Sequence, residues 1–248
     1  MSKVIHLQRL DSGIGVVILE DRASRNTFSR SFVEGLRNVF AEVALDTSLR
    51  VIVVHGYDNY FCCGGTKEEL LTITDGKLQF TDANFFDLLL QCEIPVIAAM
   101  QGHALGGGLA FGAFADLLVM AQEAIYSANF MRYGFTPGMG ATYIIPRKFG
   151  EVLGTEMLYG ALSYHGGELR QRGAGAQIVT RDKVVSSALT LAHELADKPR
   201  VALLELKRHL AAPIRQALPE IVERELAMHK VTFAQAEVRQ RIETLFGN

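Results

Sequence analysis

Pro95-Val96-Ile97-Ala98-Ala99-Met100-Gln101-Gly102-His103-Ala104-Leu105-Gly106-Gly107-Gly108 is the stretch on which the reading of this chain turns. Its first six residues form an unbroken apolar run, the mark of a strand buried on both faces. The glycine triplet then opens a helix that reaches about Ala115, and Asp116 to Ala121 returns to strand. No Asp, Glu, Lys or Arg occurs between Ile94 and Ala115, a length that would span a bilayer. Pro95, Gln101, His103 and five glycines interrupt it, however, so strand, turn and helix are expected rather than a membrane span.

The same alternation extends in both directions. Upstream, Arg50 to His55 is a β-branched run that reads as another buried strand. Gly56 to Gly65 follows as a loop, and Lys67 to Leu71 starts a helix. Val4 to Leu10 and Ile14 to Glu20, separated by Asp11-Ser12-Gly13, read as a hairpin. Ser31 and Glu34 have the spacing of a capping box, and Phe32, Leu36, Val39, Phe40 and Val43 carry a helix to about Leu45. Strands alternating with helices imply an α/β domain with parallel strands. From Val184 onward the pattern is helical, with breaks expected at Pro199, Pro213 and Pro219. Residues 1–195 are therefore expected to form the core and 196–248 a helical C-terminal region.

Composition narrows the function classes. The 248 residues are 49% hydrophobic and 21% charged, ample for a core and unlike a disordered chain. A net charge of −2 gives no footprint for nucleic acid. Three cysteines, Cys62 and Cys63 adjacent, make no disulfide framework and suit a reducing compartment, hence the cytoplasm. Met1-Ser2-Lys3-Val4-Ile5-His6 has no long apolar segment, so no signal peptide is expected.

Two glycine-rich turns carry the chemistry: Phe61-Cys62-Cys63-Gly64-Gly65-Thr66-Lys67-Glu68 and Gly102-His103-Ala104-Leu105-Gly106-Gly107-Gly108. Each joins a strand to a helix, which leaves N–H groups unpaired at the positive end of a helix dipole. Side by side, they would aim two donors at one oxygen, as an oxyanion hole requires. Taken singly, either turn is as well explained by tight packing. Nucleotide motifs fail: Gly106-Gly107-Gly108-Leu109-Ala110-Phe111 lacks the third glycine of a dinucleotide fingerprint, and Gly65-Thr66-Lys67 is no phosphate-binding loop. No zinc-ligand spacing occurs, and no metal site is expected.

These turns, the strand before the second, Asp116 and Tyr133-Gly134-Phe135-Thr136-Pro137-Gly138-Met139-Gly140-Ala141-Thr142 together resemble the crotonase (enoyl-CoA hydratase/isomerase) superfamily over residues 5 to 245. The resemblance implies a spiral of ββα units with a helical C-terminal extension that joins subunits into homotrimers or dimers of trimers. It makes Gly65 and Gly107 the donors to a thioester oxygen of an acyl-CoA or acyl-carrier-protein substrate. Hydratases of the family carry two glutamates for water and proton handling; here those places hold Ala110 and Phe130. Neither can accept a proton, so hydration loses its acid–base groups.

Decarboxylation of an acid conjugated to the thioester still fits, because it needs the oxyanion donors and no activated water. Tyr57-Asp58-Asn59-Tyr60-Phe61, Cys92-Glu93-Ile94-Pro95, Ala128-Asn129-Phe130-Met131 and Met228-His229-Lys230-Val231-Thr232-Phe233 resemble the decarboxylases of polyketide β-branching cassettes. That branch converts 3-methylglutaconyl to 3-methylcrotonyl groups on an acyl carrier protein. The resemblance makes His229 catalytic, as donor of a proton to the dienolate, and Tyr60 a chamber-lining residue. The lysine of the branch falls near Ile73 when counted from Gly65, and Lys77, ahead of Lys67, is the candidate to orient the leaving carboxylate. No cofactor is expected beyond the phosphopantetheine or CoA of the substrate. Without the resemblance, His229 on an apolar helix face also reads as a packing residue, and Lys77 as a solvated loop lysine. An enoyl-CoA hydratase/isomerase with relocated acid–base groups and a non-catalytic scaffold are the alternatives.

Overall fold

The computed structural model describes residues 4–82 and 84–246. Met1, Ser2 and Lys3 of the N-terminal stretch lie outside the described residues. β1 (Ile5–Leu10) and β2 (Ile14–Leu19) form the expected hairpin, paired from Ile5–Leu19 to Leu10–Ile14. Then follow α1 (Arg30–Leu45), β3 (Val51–His55), β4 (Tyr60–Cys62), α2 (Lys67–Thr74), α3 (Leu88–Gln91), β5 (Val96–Met100), β6 (His103–Leu105) and α4 (Gly107–Ala113). The chain continues through β7 (Leu117–Ala121), β8 (Ile125–Ser127), a 3-10 turn (Asn129–Tyr133), α5 (Ala141–Phe149), α6 (Glu151–Gly160), β9 (Tyr164–His165) and α7 (Gly166–Gln171). β10 (Gln177–Val179), α8 (Arg181–Ala196), α9 (Arg200–Thr232) and α10 (Ala236–Leu245) complete it.

The strands build two sheets, ordered β1-β2-β3-β5-β7-β10 and β4-β6-β8-β9. In the larger sheet every pairing except the hairpin is parallel. Each of β3-β4-α2 and β5-β6-α4 sends one strand to the large sheet, one to the small sheet and then a helix across. This is the ββα spiral. It corrects the plain loop expected over Gly56 to Gly65, which contains β4, and the plain turn before the glycine triplet, which contains β6. Among the described residues no helix is long and apolar enough to cross a membrane.

Two local expectations also change. The first helix is capped by Ser29, not Ser31: the Ser29 hydroxyl accepts the Phe32 N–H at 3.2 Å and donates to Asp21 at 2.8 Å. Glu34 is taken up by Arg30 at 2.8 Å and is not free to close a box. A reciprocal capping box does occur, at Thr66 and Glu69, and it fixes the start of α2 beside the first glycine turn.

Pro213 and Pro219 do not break the C-terminal region; α9 runs through both for 33 residues, and only Pro199 stands at a boundary. Each proline removes one donor from the helix ladder, but α9 is held along its length by a buried stripe of Leu203, Lys207, Ala211, Leu218, Glu225 and His229. Lys207 is the firmest of these anchors. Its ammonium donates to the Asp116 carboxylate at 2.6 Å and the Leu89 carbonyl at 3.2 Å. The same Asp116 oxygen accepts the Val96 N–H at 2.8 Å, so one carboxylate ties α9 to the start of β5. Replacing Asp116 by alanine leaves the Lys207 charge buried and unpaired, at a cost of about 3 kcal/mol. Urea denaturation will show that loss for Asp116→Ala, and the Asp116→Ala/Lys207→Met pair will recover most of it.

Candidate active site

The two glycine turns meet as backbone against backbone. A methyl group on Gly108 would lie 2.1 Å from the Cys62 carbonyl oxygen, and one on Gly64, where φ is +78°, 3.2 Å from the Gly107 nitrogen. Only glycine permits that approach. Gly65 immediately precedes the capping residue of α2, and Gly107 is the first residue of α4. Among the described residues neither the Gly65 nor the Gly107 N–H donates a hydrogen bond. Both face a cavity of about 430 Å³. Two N–H groups without a hydrogen-bond partner therefore line one cavity, which is the arrangement an oxyanion site requires.

Two groups of touching side chains line the cavity: Phe80, Phe135 and Phe130, ring against ring, and Arg25, Tyr60 and His103. Asn129, Arg132 and Tyr133 line it as well. Tyr60 and Phe130 thus share the cavity with Gly65 and Gly107. Phe130 stacks edge-on against Phe135 at 6.3 Å. Ala110 does not border the cavity; it is fully buried in α4.

His229 lies just behind this chamber, 5% exposed. Its Nε2 is 2.9 Å from the Thr136 carbonyl and 3.1 Å from that of Pro137. Carbonyls only accept, so Nε2 carries the proton. The imidazole borders a second cavity of about 340 Å³, and Phe80 lines both. The Phe80 ring stands 5.1 Å from His229, edge-on, and also lines the cavity that Gly65 and Gly107 border. Burial pushes the His229 pKa down, against a smaller upward pull from the two carbonyls.

Lys77 lies outside both cavities. Its side chain is 71% exposed and its ammonium is 3.1 Å from Asp75, which also binds Arg239 at 2.7 Å. Lys67 donates to the Glu243 carbonyl. Ile73, where counting from Gly65 puts a lysine, borders the His229 cavity from α2. The resting structure therefore gathers Gly65, Gly107, Tyr60 and Phe130, sets His229 one ring away and leaves Lys77 on the segment that carries Phe80. Burial raises the Cys62 thiol pKa and pushes that of Cys63 up to about 11, so neither is an activated nucleophile.

Sequence reasoning missed Glu225. It is buried one helical turn before His229 and accepts the Gly140 N–H at 2.7 Å, the Thr142 N–H at 2.9 Å and the Thr142 hydroxyl at 2.6 Å. Glu225 thereby fixes the loop whose Thr136 and Pro137 carbonyls hold His229. Its spacing of four from His229 on the buried stripe was the available signal.

Because the folded His229 pKa lies below its ordinary 6.5, the unfolded chain binds more protons as the pH falls past that value. Stability from this group is present above pH 6.5 and lost beneath it. An NMR titration will place its midpoint under 6.5, and His229→Gln will flatten the acid limb of the stability profile; a midpoint above the ordinary value would contradict the desolvated setting.

Comparison with known proteins agrees with this architecture. The enoyl-CoA hydratase/isomerase family model matches residues 9–246. Bacillaene synthase decarboxylase PksI of Bacillus subtilis is 47% identical over 99% of this chain and 98% of its own length. Carboxymethylproline synthase of Pectobacterium carotovorum is 25% identical over 94% and 95%. Among solved structures, a member of a dehydratase/decarboxylase enzyme couple involved in polyketide β-branching superposes with a TM-score of 0.97 at 47% identity, covering 99% of this chain and all of the other. The ECH2 decarboxylase domain of CurF from Lyngbya majuscula gives 0.95 at 43%, with the same coverage. The two glycine turns, the ββα spiral and these matches place the chain in the enoyl-CoA hydratase/isomerase family.

Proposed function

We propose that the protein decarboxylates 3-methylglutaconyl-acyl carrier protein to 3-methylcrotonyl-acyl carrier protein in polyketide β-branching. One observation carries the chemistry: two free N–H donors, Gly65 and Gly107, face a chamber whose acyl end is Phe130 and its aromatic neighbours, not carboxylates. The likeness to PksI and to the CurF domain supports the substrate.

In this reaction the bond between the γ carbon and the carboxylate breaks, and its electron pair spreads through the conjugated system onto the thioester oxygen. The two N–H groups stabilise that charge in a site poor in water. CO₂ leaves, and a proton added at the γ carbon gives the 3-methylcrotonyl product. His229 supplies the proton in this reading. It rests neutral, and the carboxylate of an arriving substrate raises its affinity for a proton. Segment 75–82 shifts to admit it, taking the Phe80 ring away from His229 and turning Lys77 from Asp75 toward the leaving carboxylate. No metal or redox group is called for; the phosphopantetheine belongs to the substrate.

The rest of the reading concerns assembly and location. Val152 and Tyr159 on α6 and Val201 on α9 are between 70% and 80% exposed, apolar surface that a homotrimer, or a dimer of trimers, would cover. Light scattering on the purified protein tests this; a monomer would oppose it. The three unpaired cysteines suit the cytoplasm.

Mass spectrometry of purified protein with the loaded carrier protein, and in parallel with the CoA thioester, is the deciding assay. Wild type will lose the mass of CO₂, and His229→Ala will slow the loss roughly 10²-fold or more. Gain or loss of water instead would mean a hydratase, and no change on either carrier a scaffold. The two donors should respond differently to alanine. At Gly65 an added methyl meets only Leu70 at 3.7 Å, whereas at Gly107 it would stand 2.6 Å from the Phe28 ring. Gly65→Ala will stay close to wild type, and Gly107→Ala will lose about 10²-fold in kcat as its N–H is displaced.

A further inference from the structure

We propose that His103 binds the phosphopantetheine arm, donating from Nε2 to the carbonyl of the second amide from the sulfur. The inference rests on the reading above, in which the substrate is a thioester on such an arm.

The direction of the arm follows from the place of His229. With the thioester oxygen on Gly65 and Gly107, the acyl group points toward Phe80, which borders both this cavity and that of His229. The arm then leaves along the cluster of Arg25, Tyr60 and His103. There β6 lies along the wall: His103 and Leu105 are half-buried and face the cavity, while Ala104 between them is buried on the other side. At a strand rise of about 3.3 Å per residue, His103 stands about 10 Å from the Gly106-Gly107 turn. An extended arm places its second amide carbonyl roughly 10 Å from its sulfur by ordinary bond lengths.

His103 is built as a neutral donor. Its Nδ1 lies 3.0 Å from the Ile125 backbone nitrogen of β8. A backbone N–H can only donate, so Nδ1 is the bare nitrogen and the ring proton sits on Nε2. Among the described residues Nε2 has no hydrogen-bond partner, nor has the hydroxyl of Tyr60, the residue paired with His103 across β4 and β6. The Tyr60 ring meets the imidazole edge-on at 5.9 Å and steadies it. Burial first, then the positive charge of Arg181 and the nearby His165, oppose a second proton. A neutral N–H in a fixed direction suits an amide carbonyl, and the absence of charge disfavours the distal phosphate as its target.

Binding and turnover test this separately. Calorimetry with 4′-phosphopantetheine needs no reaction: wild type will bind it, with a shift of the His103 Nε2 resonance, and His103→Leu will bind about tenfold more weakly, the worth of one hydrogen bond. His103→Gln, which keeps an acceptor for Ile125 and a donor, will restore most of the affinity. In steady state, His103→Leu will raise KM about tenfold for the 3-methylglutaconyl pantetheine thioester with little change in kcat. It will leave the N-acetylcysteamine thioester unaffected, since that substrate ends before the second amide. A pantetheine analogue with a methylene in place of that carbonyl gives the same comparison on the unaltered protein. Equal losses on both thioesters, an unshifted resonance, or wild type failing to bind phosphopantetheine would overturn the assignment. Binding without decarboxylation would sustain the arm site and overturn the reaction instead.

Discussion

Everything at the candidate site depends on two backbone turns touching. β4 and β6 are three residues each, and their pairing sets Tyr60 beside His103 and Cys62 beside Ala104. β4 and β6 are parallel, so the chain leaves both toward a helix at the same end of the small sheet. There Gly64 and Gly108 have no room for a side chain: a methyl on Gly64 would lie 2.7 Å from the Leu105 carbonyl, as one on Gly108 would from Cys62 at still closer range. The contact forces the first N–H groups of two helix starts into one small volume. At α1 a side chain satisfies such a donor, the Ser29 hydroxyl accepting the Phe32 N–H. Here the capping threonine of α2 serves the interior of its own helix and leaves the Gly65 N–H, one residue earlier, outside the box.

The second requirement is that α9 be held still, since it brings His229 to the cavity behind Phe80 from more than ninety residues away in sequence. Three side chains spaced along one stripe do this by different means. Lys207 binds Asp116 just before β7, Arg215 donates to the Leu90 carbonyl at 2.6 Å, and Glu225 caps the backbone of Gly140 and Thr142. A buried carboxylate is costly unless its oxygens are satisfied; Glu225 meets that condition with three donors. Its pKa is nevertheless raised, because burial outweighs those bonds. The cost is accepted where the loop at Thr136 and Pro137 must keep its carbonyls on His229.

How much of this could be read from the residues alone depends on the length scale of each signal. The buried strands β3 and β5, the hairpin and the glycine triplet are local patterns and appear where they were expected. β4 and β6 were hidden because three residues are too few to show alternation. The prolines in α9 were over-weighted, since a local penalty of one missing donor is small beside anchors contributed by residues 89 to 142. At the site, Gly65, Gly107, Tyr60 and Phe130 line one cavity. The place of Phe80, bordering both their cavity and that of His229, has no sequence signature at all. His103 was legible only as a turn residue, because its tautomer is decided by Ile125 on a neighbouring strand.

The replacement of acid–base groups by apolar surface is what makes the remaining donors selective. A glutamate at the place of Phe130 would sit among Phe135 and its neighbours, and would hold a charge or a water near the thioester. Phe130 instead offers no carboxylate on that wall, so in the proposed reading a bound enoyl group finds no base at that position to activate water. For a substrate with a distal carboxylate the same wall works in the forward direction: it solvates the carboxylate poorly, while the charge that develops on the thioester oxygen finds two fixed N–H donors. The difference in stabilisation between the two ends of one conjugated system favours the movement of charge from carboxylate to oxygen. In the proposed reaction two backbone amides and a phenylalanine thus bias the chamber toward loss of CO₂ over addition of water, before any titratable side chain takes part.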